Sequence, residues 1–292
     1  DKIVFRPIVD STVRLAGLKS GGLDLIERVL ATDIKDVRAD PNLTLSTAIE
    51  LGYQGITLNI GHDKNKGPLS QSAKVRQALD LSIDREALNQ VVFNGEFKPG
   101  NQWVNPEHRY YQAAFPVRPR DVEKAKALLN EAGVTTPVTV DFMVPKGPEL
   151  EAVAQVVQSM AAEAGFDMKI RVTELATSLQ QAEAGNYQAY LLRWSGRIDP
   201  DGNSYSFMHS NAPLNYSAWN NAEADKALDD ARLVSDPAER KQIYEKLTKT
   251  EMEEEPILYL FHYKLLIVHT TQLQGYKQMP DGLVRVVGLK LK

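Results

Sequence analysis

The chain has 292 residues, 43% hydrophobic and 25% charged, with a formal net charge of −4 and a pI near 5.8. These are ordinary globular values, and the acidic balance argues against a nucleic-acid partner or a polybasic membrane surface. There is no cysteine, which excludes disulfides, thiolate catalysis and cysteine-ligated metals, and no apolar run approaches the roughly 18 residues that span a bilayer, so the chain is not expected to be membrane-embedded.

In chain order, DKIVFRPIVD at residues 1–10 reads as a strand. With no initiator Met and no signal peptide, a chain opening there reads as a processed product or a fragment. Strands are expected at 44–49 and 55–60, then helices over 72–81 and 84–94, the second with Asp84 as N-cap and Gly95 as terminator. A Gly/Pro/Asn loop carries Trp103, and a helix over 122–132 stops at Gly133.

The centre is the clearest stretch. Val138, Val140, Phe142 and Val144 alternate with Thr139, Asp141 and Met143, the period of a strand. After Pro145 and Gly147, Leu150, Val153, Ala154, Val157, Met160, Ala161 and Ala164 recur at helical spacing, with Gly165 as a stop. Met168, Ile170 and Val172 alternate again, and a short helix over 178–184 leads to a strand over 187–192. This β-α-β-α-β order predicts a parallel wound sheet, whose ligands bind beyond the carboxyl ends of its strands. The loop after the last strand, RWSGRIDPDGN from Arg193, lies at such an end and is the leading candidate site. Further on, a helix is expected over 223–234. Asp236-Pro237-Ala238-Glu239 reads as a capping box opening a helix to about Glu253, and Glu253–Glu255 reads as a solvated helix end. Strands at 257–262 and 265–270 follow, and the chain is expected to cross between domains near 53–60 and 258–268.

Most chemistries find no support. The five histidines, at 62, 108, 209, 262 and 269, form no metal-ligand spacing. Asp199-x-Asp201-x-Asn203 imitates the start of a calcium loop but has Ser204 and Ser210 at the sixth and twelfth positions. Pro200-Asp201-Gly202 reads instead as a β-turn with Gly at positive φ. There is no nucleophile elbow and no phosphate loop, so neither catalysis nor a cofactor is expected. Of the aromatics, Trp194 points to ligand contact, Trp103 is divided between a ligand and a packing role, and Trp219 reads as packing.

Several stretches resemble the dipeptide/oligopeptide/nickel class of extracellular solute-binding proteins, which feed ABC importers. They are LKSGGLDLIERV (18–29), KVRQALDLSIDREALNQVVFNGEFKPGNQWVNP (74–106), DVEKAKALLNEAGV (121–134), ELEAVAQVVQSMAAEAGFDMKIRV (149–172) and RWSGRIDPDGN (193–203), in the family's order. The resemblance covers the C-terminal part of a usually longer, two-lobed protein that closes on its ligand. It implies an α/β fold, a periplasmic-binding-protein type II-like lobe with a wound mixed sheet at residues 52–270, plus a partial lobe at 1–51 and 271–292. It also implies a periplasmic or extracytoplasmic location, a small-molecule or peptide ligand, and a membrane permease as partner.

In peptide-binding relatives this loop has a Trp-x-x-Asp arrangement whose aspartate pairs with the ligand's ammonium. Trp194 matches the aromatic, but Arg197 stands in the aspartate's place. An arginine there favours a carboxylate, phosphate or sugar acid. Two alternatives stay open: Asp199 takes the ammonium role, or Asp199 or Asp201 neutralises Arg197. The expected ligand set is Trp194, Arg197, Arg193, Asp199, Asn203 and Tyr205, with Asn59 and Trp103 behind them. A stand-alone α/β enzyme and a ligand-loaded partner of a membrane sensor are the rival readings.

Overall fold

A computed structural model describes residues 2–292; Asp1, the first residue of the expected opening strand, lies outside them. The chain forms two compact units, Asp1–Glu50 with Tyr263–Lys292, and Leu51–His262. Residues 2–10 carry no strand. An apolar segment becomes a strand only beside a partner, and Val4, Phe5 and Val9 are exposed.

The smaller unit opens with α1 (Ser11–Lys19), whose first turn is capped by Asp10 Oδ1 accepting from the Val13 amide at 2.9 Å. It continues through β1 (Leu25–Ile26), α2 (Ile34–Ala39) and β2 (Leu43–Ile49).

The larger unit begins with β3 (Tyr53–Leu58), followed by α3 (Pro68–Gln71), α4 (Ala73–Ser82) and α5 (Arg85–Phe93). Asp84 caps α5 as expected, accepting from the Ala87 amide, whereas Asn94 takes the first left-handed position ahead of Gly95. Next come β4 (Lys98–Pro99), α6 (Val122–Glu131), β5 (Val138–Pro145), α7 (Pro148–Glu163), β6 (Phe166–Thr173), α8 (Leu175–Glu183) and β7 (Ala189–Trp194). The unit closes with α9 (Asp201–Met208), α10 (Ala222–Leu233), α11 (Pro237–Glu254) and β8 (Ile257–His262).

Its six strands form one mixed sheet in the order β4-β8-β3-β7-β5-β6. β5 pairs with β6 and β7 in parallel, so the expected parallel unit is present, while β3 runs antiparallel to β7 and β8. The polar/apolar alternation of β5 stops at Phe142, beyond which every residue is buried. Met143 packs with Tyr187 and Tyr190 on the second face, as befits an interior strand covered on both sides.

The chain then returns to the smaller unit with β9 (Lys264–Thr270), β10 (Leu273–Gln274) and β11 (Lys290–Leu291). β9 pairs with β1 and with all of β2. Residues 264–270 therefore group with the smaller unit, whereas the resemblance implied a larger lobe running to residue 270; the division after His262 falls within the crossing expected near 258–268.

Two further expectations are corrected. Pro200-Asp201-Gly202 is the first turn of α9, not a β-turn, and Gly202 is absent from the positive-φ positions. The turn winds helically because Asp199 Oδ1 accepts from the Asp201 amide at 2.9 Å and Ser204 Oγ donates to the Pro200 carbonyl at 3.0 Å. Gly202 is needed for space, since a Cβ there would lie 2.8 Å from the Arg197 side chain. Nor is the acidic end of α11 solvated throughout: Glu253 is exposed, as expected, but its two successors are engaged. Glu254 accepts from Trp219 Nε1 (2.6 Å) and Asn221 Nδ2 (2.7 Å), and buried Glu255 pairs with Arg118.

Candidate functional site

β7 buries Ala189, Tyr190 and Leu191, then emerges, leaving Leu192, Arg193 and Trp194 half-buried. The switch from apolar to polar residues thus delivers Trp194 to the surface at the strand's carboxyl end. Trp194 faces Tyr53 across the sheet and packs edge-on against Phe207 of α9, ring centroids 4.9 Å apart. Arg193 faces Gln54 on β3.

The loop folds back tightly after Trp194. Gly196 has φ of +85°, and a Cβ there would lie 2.3 Å from the Gly52 amide nitrogen. A Cβ on Gly52 would lie 1.7 Å from the Trp194 carbonyl oxygen. This backbone-to-backbone approach admits only glycine at both positions.

Arg197 follows, exposed, its guanidinium carbon 4.4 Å from the centre of the Trp194 ring and Nη1 donating to the Gly196 carbonyl at 2.7 Å. Trp194 therefore serves as a platform for this cation. Neither loop aspartate neutralises it. Asp199 receives both terminal nitrogens of Arg240 on α11, at 2.9 and 3.1 Å. Asp201 receives Nε and Nη2 of Arg232 on α10, at 2.7 and 2.9 Å. Such forked pairs are geometrically committed, and Arg240 holds the Asp199 carboxyl below its usual range, chiefly by hydrogen bonding. Among the described residues Arg197 makes no ion pair, so one positive charge is presented at the surface.

The remaining expected residues divide sharply. Asn203 is fully buried and uses all its hydrogen-bonding capacity inside the loop, accepting from Trp194 Nε1 and the Arg197 amide and donating to the Leu51 and Arg197 carbonyls. It belongs to the site's framework, not to its surface. Tyr205 stacks on His209, ring centroids 4.5 Å apart, and has Arg232 3.1 Å above its ring, so its ring is already in use.

Asn59 is buried beyond the far end of β3, roughly 20 Å of strand from Tyr53. Its amide donates to the Gly185 and Tyr187 carbonyls and its oxygen accepts from the His62 amide, so both of its donors are spent on backbone. Trp103 is fully buried and meets Tyr244 edge-on at 4.9 Å; it is core. Trp219 is packing, as expected, at 2% exposure.

Local sequence reading missed Arg232 and Arg240, which reach the loop from 31 and 41 residues away. It also passed over Ile198, 74% exposed beside Arg197, the one signal that was there to read. Elsewhere, an open groove of about 480 Å³ lined by Leu81, Phe115, Arg118, Leu128, Lys249 and Met252 includes none of these loop residues. No cluster of three metal-ligating side chains occurs among the described residues, and none of their helices is long and apolar enough to cross a membrane.

Residues 1–215 match the family model described as "Bacterial extracellular solute-binding proteins, family 5 Middle". The chain is 28% identical to Di/tripeptide-binding protein 1 of Pseudomonas aeruginosa (strain UCBPP-PA14), an alignment covering 97% of this chain and 53% of that protein. Among solved structures, it is similar to the oligopeptide-binding protein AppA from Bacillus subtilis in complex with a nonapeptide, with 28% identity and a TM-score of 0.80 over 94% of this chain and 57% of that one. It is also similar to AgaA from A. tumefaciens R10 in complex with agropinic acid, with 25% identity and a TM-score of 0.80 over 97% and 59% of the two chains. The chain spans about half the length of the curated relatives it matches.

Proposed function

The chain belongs to family 5 of the bacterial extracellular solute-binding proteins, and on that premise we propose that its Trp194 loop is one wall of a ligand cleft that captures an anionic solute for an ABC importer. The observation that carries this reading is the exposed, unpaired Arg197 held over Trp194, while the two aspartates that follow it in the loop are already committed to Arg240 and Arg232. An ammonium group is repelled there. A carboxylate or phosphate gains a charge-assisted hydrogen bond of about 1.5–3 kcal/mol once water is displaced. A peptide's carboxylate and a sugar acid both satisfy this chemistry. The peptide-binding relatives and the agropinic acid complex support a polar, acid-bearing ligand of modest size.

On this reading Trp194, Arg197, Ile198 and Arg193 face the solute, while Asn203, Asp199 and Asp201 serve the loop. Closure of the cleft hides the loop from water, and the closed state is what a permease recognises. The protein works outside the cytoplasm, binds without covalent change and is not an enzyme. The smaller unit is part of a first lobe, and the larger unit is the second.

Calorimetric titration with trialanine, N-acetyl-trialanine, trialanine amide and agropinic acid tests the charge preference. The expected result is that acetylation is tolerated and amidation abolishes binding, or that agropinic acid alone binds. In either case Arg197→Asp is expected to weaken the anion by about 10- to 150-fold. Binding of the amide with loss of the acetylated peptide, or unchanged affinity in Arg197→Asp, overturns the anion reading.

A further inference from the structure

The buried carboxamide of Asn203 makes four hydrogen bonds. Oδ1 accepts from Trp194 Nε1 at 2.9 Å and from the Arg197 amide at 2.7 Å; Nδ2 donates to the Arg197 carbonyl at 3.1 Å and the Leu51 carbonyl at 3.3 Å. The amide's orientation is dictated by its partners, since indole and backbone N–H only donate and carbonyl oxygens only accept. All four bonding sites are used. Aspartate lacks the two donors, alanine lacks everything, and glutamine is one methylene too long for a side chain with no exposed surface.

One side chain thus holds the indole N–H of the platform and both backbone polar groups of the residue whose cation lies on that platform. It is also tied to Leu51, next to Gly52, whose backbone packs against the Trp194 carbonyl and Gly196. We infer that Asn203 is the positioning residue of this site, fixing Trp194 and Arg197 as one rigid anion-facing unit. The inference rests on the reading that this pair faces the ligand. It adds that the charge at position 197 is aimed by a residue that never touches the solute.

The test needs no ligand. Of the three tryptophans, Trp103 and Trp219 are 0% and 2% exposed, so ionic quenching of fluorescence reports Trp194. In the unsubstituted chain, iodide is expected to quench more strongly than caesium, because Arg197 concentrates anions at the indole; Arg197→Gln sets the baseline without that charge. In Asn203→Ala the iodide-over-caesium preference is expected to fall about twofold or more toward that baseline, with greater quenching by neutral acrylamide. In Asn203→Ser a single hydroxyl cannot serve all four partners, so the same fall in iodide preference and rise in acrylamide quenching are expected.

A folded Asn203→Ala (by far-ultraviolet circular dichroism) with parental iodide preference and parental acrylamide access overturns the inference. If Asn203→Ala does not fold, Asn203→Ser decides, and parental iodide preference with parental acrylamide access there overturns it equally. Because quenching involves no solute, its outcome is separable from the calorimetry, which alone tests whether the site takes an anion.

Discussion

Arg197 and His262 show how position decides what a titratable side chain contributes. Arg197 is exposed, yet stays oriented because its backbone is held at both polar groups and its guanidinium rests on an indole. His262 is fully buried, with Nδ1 2.7 Å from the Gly52 carbonyl. A Cβ on Gly100 would lie 2.4 Å from its Nε2. Burial pushes the imidazole down to about 4, against the opposing pull of the Gly52 carbonyl. The folded pKa is below the unfolded one, so as pH falls the unfolded chain takes up the proton first. The contribution is intact above about pH 6.5 and is lost as pH falls from there through about 4. Urea unfolding at pH 7.5 and 4.5 is expected to show about 2–3 kcal/mol more acid destabilisation in the parent than in His262→Gln, from the size of that shift. Equal pH dependence of the two proteins refutes this assignment.

At the scale of elements, the start of α9 is clamped from outside. Asp199 is tied to α11 through Arg240 and Asp201 to α10 through Arg232. Arg240 is itself flanked by the rings of Tyr110 and Tyr244, at 5.6 and 5.4 Å. The Asp199 carboxylate is largely exposed and that of Asp201 partly so, so each pair is worth little as stability despite its forked geometry. A double-mutant cycle with Asp199→Asn and Arg240→Gln is expected to give a coupling of about 0.5–1 kcal/mol. Since Arg240 depresses the Asp199 carboxyl, that coupling is present above the carboxyl's unfolded value, 3.8, and disappears as pH falls below it. A coupling that persists at pH 2 rules out the ion pair as its source. The clamp's larger effect is on charge, because it removes two negative charges from beside Arg197. The other end of α11 shows the opposite economy. Burial holds the Glu251 carboxyl well above its usual range, chiefly by removing it from water.

At the scale of the whole molecule, every strand of the six-stranded sheet lies within residues 51–262. That segment expressed alone is expected to fold and to unfold cooperatively in urea; a non-cooperative transition without native circular dichroism refutes its autonomy. The parallel core was legible in the sequence because period-two and helical spacings are local, and the chain from Val138 to Trp194 alternates between them. The candidate loop was legible for the same reason, as a polar break at the end of an apolar strand. The family resemblance extended that reading to the chain as a whole. What the local pattern left open were matters of partnership. Residues 2–10 have strand-like composition without a strand, and β9 joins the unit that holds its neighbours β1 and β2. Asn203 and Asn59 look like ligand contacts until their hydrogen bonds are counted, and Arg197 is left unpaired only because Arg232 and Arg240 come from distant helices. By itself the sequence determined the fold class and the location of the loop, which follow from periodicity and local order, and the family, which follows from the resemblance of its quoted stretches. Only the tertiary structure decided which loop groups are spent on the framework and which face solvent, because hydrogen bonds and ion pairs are satisfied by whatever lies nearest in space.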